Sequence, residues 1–284
     1  MSTPAPLQSN GWIERHALVS YFALTFLIGW IPMIPKVLAS RGLLPAGFSS
    51  PVFDLILVLS PAISALIVTG MTTGRAGVRA LLSRYRIWRV GPGWYAVALL
   101  LPAVTYVGAF SVNTLLGRDG AAMPPLPSVL TTFVAALVFE FVFNQEEIGW
   151  RGFALPRMQA QWSALQASLV LGVIWGLWHI PLFLTQGTPN AQLPFLGFFI
   201  NVMSQAIVLT WLFNSTRGSL LLCQLFHQSG NAWAGALVPV PDANIFWIFY
   251  VLNVLVAIGV VVVYGATRLS RQPVQQMAMP SAAT

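Results

Sequence analysis

Apolar residues along the chain gather into eight stretches: 17–38, 52–73, 93–116, 127–149, 164–185, 194–213, 219–239 and 244–267. Each is close to the ~20 apolar residues a helix needs to cross a hydrocarbon core about 30 Å thick. The polar breaks between them are short. The pattern predicts an all-α fold, a polytopic transmembrane helix bundle of about eight spans. Pro32 and Pro35 are expected to end or kink the first span, because proline removes a helix donor and clashes with the preceding turn. Pro61 and Pro102 fall inside the second and third spans, where neighbouring helices can satisfy the carbonyls they free. Segment 76–90 follows a different rhythm, with four arginines set among Leu81, Leu82 and Trp88. It reads as an amphipathic interfacial helix whose arginines reach headgroups while those three side chains dip into the interface. Residues 1–16 form a polar N-terminal segment, and the polar tail from Gln272 is expected to be disordered.

Composition turns this pattern into a class. Hydrophobic residues make up 57% of the chain and charged ones 7%, where a soluble domain carries about 25% charged residues. That excludes a soluble globule. The formal charge of +7 is almost entirely arginine, which points to membrane topology and anionic headgroups rather than nucleic acid. If the loop carrying Arg75, Arg79, Arg84, Arg86 and Arg89 is cytoplasmic, alternation puts Arg15, Arg151, Arg157, Arg217, Arg268 and Arg271 on the same side. Only Lys36, Arg41 and Arg118 fall outside, so both termini are expected in the cytoplasm. The first span is read as a retained helix rather than a signal peptide. A single cysteine, Cys223, excludes an intrachain disulfide and a cysteine-based metal site.

Candidate chemistry centres on Phe143-Asn144-Gln145-Glu146-Glu147-Ile148-Gly149-Trp150-Arg151 at the end of the fourth span. A charge at bilayer depth costs roughly 2.5–3.5 kcal/mol, so such residues pair, face a cavity or do chemistry. On a helix, Glu147 and Arg151 stand four apart with the acid first, the better order for an ion pair. Glu140 returns to nearly the face of Glu147, while Glu146 points about 100° away, on the stripe of Phe139, Phe143 and Trp150. Glu147 with Arg151 then reads as a structural pair, and Glu146 as the carboxylate free to take a proton. Trp175 and His179 stand one turn apart in the fifth span, and His227 and Asn231 share a face of the seventh. Alone, each histidine is more often a satisfied core residue than a site. Together with the glutamates they make a set of base, imidazoles and amide donor.

These motifs (Glu146-Glu147-x-x-x-Arg151, an aromatic four residues before His179, and His227-x-x-x-Asn231) resemble those of the CPBP intramembrane proteases. That family includes the CAAX prenyl endopeptidases and bacteriocin self-immunity proteins. The resemblance covers roughly 127–240 and departs at Trp175, where phenylalanine is usual. It implies a division of the chain into 17–120, N-terminal helices and basic interfacial helix; 121–243, the protease core; and 244–284, the last helix and tail. It implies that Glu146 and His179 hold and activate a water that attacks a scissile amide. His227 and Asn231 would stabilise the oxyanion, Glu147 and Arg151 would brace the fold, and Glu140 and Trp175 are accessory candidates. The expected partners are a peptide or protein substrate, lipidated or not, and membrane lipids, with no nucleic acid. The expected location is a bacterial cytoplasmic membrane.

The resemblance leaves the cofactor open between none and one divalent metal. Glu146, His179 and His227 would be the zinc ligands, with an open position for water. A non-catalytic immunity or partner protein on the same fold, or a proton-coupled transporter, are the other functions the pattern allows. No internal repeat of the kind many transporters carry is visible. One geometric difficulty stands out: Glu146 lies near the cytoplasmic end of its span, and His179 about 22 Å into the next at helical rise. They meet only through an interfacial or re-entrant segment around Leu155 to Trp162, lining a cytoplasm-facing cavity.

Overall fold

A computed structural model describes residues 11–118, 122–240 and 242–272. The polar residues 1–10 and the tail beyond Gln272 lie outside the described residues. Among those described there are helices and no strands. The eight expected spans correspond to α1 (Ala17–Ser40), α2 (Val52–Ser83), α3 (Pro92–Leu115), α4 (Leu126–Phe143), α5 (Ala164–Trp178), α6 (Phe195–Ser215), α7 (Leu220–Leu237) and α8 (Ala243–Tyr264). Seven candidate membrane spans cover all of these but α7, so the chain is an integral, multi-pass membrane protein by helix length and composition. In α7, Gln224, His227, Gln228, Ser229 and Asn231 interrupt the apolar sequence.

One end of the bundle gathers the arginine-bearing connections. Ser219 Oγ donates to Ile87 O at 2.7 Å, Arg217 to Arg89 O, and Ala164 N to Thr267 O at 2.9 Å. The α5–α6 and α7–α8 connections therefore lie at the other end, as does the ion pair of Lys36 with Asp54 that joins the end of α1 to the start of α2. Within the bundle α1 pairs with α2, α4 with α7, α5 with α6, and α3 with both α7 and α8.

The prolines do not end α1, which runs through Pro32 and Pro35 to Ser40. At Pro102 the freed acceptor is Ala98 O, and Ser229 of α7 donates to it at 2.6 Å. At Pro61 the freed acceptor is Leu57 O, satisfied at 2.8 Å by the adjacent Ser60 hydroxyl. An unmet carbonyl in lipid costs several kcal/mol, which is why both prolines come with a hydroxyl.

The expected interfacial helix is shorter than 76–90. Gly74, at φ 63 and ψ −162, breaks α2, in a conformation that a side chain strongly disfavours. Helix resumes to Ser83 and closes with a 3₁₀ turn, Arg84–Arg86. Arg75, Arg79, Leu82, Arg86 and Trp88 are exposed there, as expected. Leu81 is not: it is buried in the protein core, against Gly152.

The fourth span also differs. The apolar stretch 127–149 does not form one helix, because α4 stops at Phe143 and Asn144 is extended at φ −103 and ψ 101. The chain then re-enters helix as a buried π-helical turn, Ile148–Ala154, followed by a short helix, Leu155–Gln159. The break is held from α7, where Gln224 and Gln228 both donate to Asn144 O, the latter at 3.1 Å. Gly149 then lies hard against α2. A Cβ there would meet the Tyr21 hydroxyl and stand 2.5 Å from Pro61 O.

Candidate active site

The break at Asn144 brings the carboxylates to the depth of the histidines. Residues 144–159 and α5 form a helical hairpin that turns near Ala160. Glu146 lies about as many residues before the turn as Trp175 lies after it. The two meet: Trp175 Nε1 donates to Glu146 Oε2 at 2.8 Å, and Trp150 Nε1 donates to the same oxygen at 3.1 Å. The other oxygen, Oε1, has no partner among the described residues. The difficulty of depth is thus met by an early end to α4 and a buried limb, whose short helix Leu155–Gln159 and following turn fall in the expected 155–162 segment.

Glu147 is completely buried. Its Oε1 accepts from Arg151 Nη1 at 3.0 Å, the expected i,i+4 pair, and lies 2.8 Å from His227 Nδ1. A carboxylate only accepts, so that histidine nitrogen carries the hydrogen and Nε2 faces away from Glu147. His179 Nδ1 lies 2.8 Å from Trp175 O. A carbonyl likewise only accepts, so neutral His179 holds its lone pair on Nε2. Its ring stands edge-on to Trp178 at 4.8 Å and to Phe198 at 5.0 Å.

Trp175 is the hub of this arrangement. Besides binding Glu146 and, through its carbonyl, His179, its ring lies under the Arg151 guanidinium at 4.4 Å and edge-on to His227 at 5.2 Å. Phenylalanine could supply the ring but not the N–H.

Trp175, His179, His227 and Asn231 line one cavity of about 420 Å³. Glu146 is 2% exposed and sits behind Trp175 rather than on the wall. The lining also includes Pro189, Asn190 and Leu193 of the α5–α6 connection and Val238 and Pro239 after α7. The cavity therefore reaches the end of the bundle opposite the arginine-bearing loops, not the side from which a cytoplasm-facing cavity was expected.

Glu140 does not share a face with Glu147, since the helix breaks between them. Its Oε2 accepts from Asn231 Nδ2 at 3.3 Å and from Asn144 Nδ2 at 3.4 Å. Asn231 Nδ2 also donates to Gln228 Oε1 at 3.2 Å. Nor does Glu146 share a lipid-facing stripe with Phe139 and Phe143, which are 60% and 44% exposed on α4. Of its expected neighbours only Trp150 remains.

The residues do not fit the three-ligand zinc shell. Among the described residues no three His, Cys, Asp or Glu side chains are gathered as a metal would need. Both Nδ1 atoms are engaged, one with Glu147 and one with a backbone carbonyl, and Glu146 Oε2 is held by two indoles, which leaves each Nε2 and Glu146 Oε1 as the atoms open to a ligand. Gln224 and Gln228 were not singled out in the sequence, and Asn144 was named only as part of the stretch 143–151. The signal for the glutamines was present: Gln224, His227, Gln228 and Asn231 follow one another at spacings of three, one and three along a single stripe of α7.

The geometry defines a helical membrane protein with two imidazoles and an amide lining one cavity and a buried carboxylate behind Trp175. Comparison with known proteins shows what this region is similar to. Residues 129–233 match the family described as Type II CAAX prenyl endopeptidase Rce1-like. A curated relative, CAAX prenyl protease 2 of Methanococcus maripaludis, is 33% identical over 88 residues, 29% of this chain. The chain matches 32% of that relative's length.

Proposed function

We propose that the protein is an intramembrane endopeptidase that hydrolyses a peptide bond of a membrane-associated polypeptide, prenylated or not, within this cavity. The family domain implies a protease acting on peptides. The observation that carries the finer reading is the convergence of His179, His227 and Asn231 on one cavity, with Glu146 hydrogen-bonded to their shared neighbour Trp175.

The roles follow from the free atoms. Glu146 Oε1 and His179 Nε2 hold a water and take its proton, and the water oxygen adds to the scissile carbonyl carbon. With Nδ1–H held by Glu147, His227 donates from Nε2 to the developing oxyanion once that nitrogen is also protonated, and the Asn231 amide joins it by giving up its bond to Gln228 Oε1. Donors aimed at such an oxyanion are worth about 2.7–4 kcal/mol each in acyl-transfer enzymes. Collapse breaks the carbon–nitrogen bond, and the departing amine receives the proton the base had taken. No step is routed through a metal. Both termini and the arginine-bearing loops lie on the cytoplasmic side in this reading, and residues 121–243 are the protease core.

The test is cleavage of a farnesylated peptide ending in Cys-Val-Ile-Ala by purified protein in nanodiscs. Glu146→Gln keeps an acceptor for the two indoles and removes the base. It is expected to cut turnover by about 10²–10⁴-fold, the usual worth of a general base, with no loss of thermal stability. Glu146→Ala leaves two indole N–H groups unpaired and is expected to lose stability as well, by about 1–3 kcal/mol per group. Cleavage is expected to survive exhaustive chelation; loss restored by added zinc would overturn the metal-free route. Undiminished cleavage by Glu146→Gln would sink the assigned base.

A further inference from the structure

On the wall formed by α6 and α8, away from the histidines, the cavity carries a second polar group that the mechanism does not use. Asn201 and Gln205 of α6 and Tyr250 of α8 line it. Asn201 Oδ1, Gln205 Oε1 and the Tyr250 hydroxyl are all buried with no partner among the described residues. We propose that Asn201, Gln205 and Tyr250 form a peptide-backbone subsite, which takes the amide groups of an extended substrate chain whose reacting bond lies at His179. The proposal rests on the hydrolase reading for the position of that bond.

The orientation of these groups is determined by their neighbours. Asn253 Nδ2 donates to Phe249 O at 3.0 Å, so its Oδ1 faces Gln205 and accepts from Gln205 Nε2 at 3.2 Å. Gln205 must then present Oε1, a pure acceptor that calls for an N–H. Asn201 and Tyr250 each offer both a donor and an acceptor. Asn201 and Gln205 are four residues apart, about 6 Å along the helix. In an extended peptide, backbone groups on one edge recur every second residue, about 6.8 Å apart. The spacing therefore suits one edge of a strand-like chain.

The strip also starts where the chemistry is. Phe198, one turn before Asn201, touches the His179 ring. Among the described residues lining the cavity none is Lys, Arg, Asp or Glu. On this wall, away from His227, a free carboxylate would find no cation, so the wall suits internal, uncharged peptide groups. Each buried polar group left unpaired costs about 1–3 kcal/mol, a penalty that a bound peptide would remove.

The experiment reads binding and folding separately from cleavage. The full-length Glu146→Gln protein in nanodiscs is photolabelled with a benzophenone-bearing farnesylated peptide ending in Cys-Val-Ile-Ala. The same is done with an analogue N-methylated at the two amides after the cysteine. Asn201→Leu and Tyr250→Phe are then added singly and together. Because the groups they remove have no partner, these changes should leave the melting temperature equal or higher. The labelling midpoint should rise about tenfold in the double variant, and N-methylation should weaken labelling of the parent but not of the double variant.

Three results overturn the subsite: an unchanged midpoint, equal sensitivity of both proteins to N-methylation, or no labelling of the parent. The fate of the hydrolase reading is separate. Labelling that obeys the expected pattern in a protein whose Glu146-intact form cleaves nothing would keep the subsite and remove the enzyme. Cleavage unaffected by Asn201→Leu/Tyr250→Phe, with labelling unchanged, would remove the subsite and keep the enzyme.

Discussion

Two consecutive pieces of the chain, α4 and the limb 144–159, are both rich in apolar residues and meet opposite fates. In the most apolar window of α4 only 6% of residues are buried inside the protein. Val134, Val138 and Val142 all face outward. In the limb that follows, every residue from Glu146 to Leu155 is buried, including two glutamates and an arginine. Hydrophobicity therefore does not decide which piece enters the core. Lipid is as good a solvent for valine as the protein interior is, so an apolar helix gains little by burial. Charged groups gain a great deal, because partners and cavity waters exist only inside. The ionisable residues pull the limb inward, and the apolar helix is left against the lipid.

The sharpest way to break this contrast is to unbalance the buried charges. Glu147→Ala strands the Arg151 guanidinium, which is wholly buried, and frees His227 from its partner. Losing one member of a buried pair costs about 3–5 kcal/mol. We expect abundance in the membrane to fall steeply, read by fluorescence-detected gel filtration. The double change Glu147→Leu/Arg151→Met should recover much of it; failure to recover would show that the pair does more than neutralise charge.

Trp175→Phe is a finer cut through the same limb. It keeps an aromatic ring under Arg151 and removes the N–H that Glu146 accepts. A hydrogen bond to a charged group is worth about 1.5–3 kcal/mol, so cleavage should drop about 10–100-fold with the protein still folded. An unaltered rate would show that Trp150 alone positions the carboxylate. Gly149→Ala tests close approach: its methyl would enter the space of Tyr21 and Pro61. Overpacking of this kind costs about 1–3 kcal/mol, visible as a lower melting temperature. At the far end of the scale, Val138→Ala on α4 should shift stability by no more than about 0.5 kcal/mol. A larger loss there would mean that something covers α4 in the membrane.

The same contrast explains what could be read before the fold was seen. The eight helices were legible to within a few residues at most of their ends, because hydrocarbon thickness requires about 20 apolar residues per crossing. The Glu147–Arg151 pair was legible because both lie within a single helical turn. The sharing of one cavity by His179, His227 and Asn231 followed from their placement inside spans, and from the family pattern. The end of α4 was not legible. Nothing in hydropathy distinguishes Phe143 from Ile148, and the face assigned to Glu146 beside Phe139 was lost with the helix.

What the amino-acid order determined by itself was therefore local: span length, helical spacing and the rarity of charge. What only tertiary structure decided was where one helix stops and which partner each carboxylate takes. Asn144 is held extended by Gln224 and Gln228, some eighty positions along the chain, and Glu147 finds His227 at the same separation. A backbone group in lipid must be satisfied by whatever lies nearest in space, and proximity between α4 and α7 exists only after the bundle has formed.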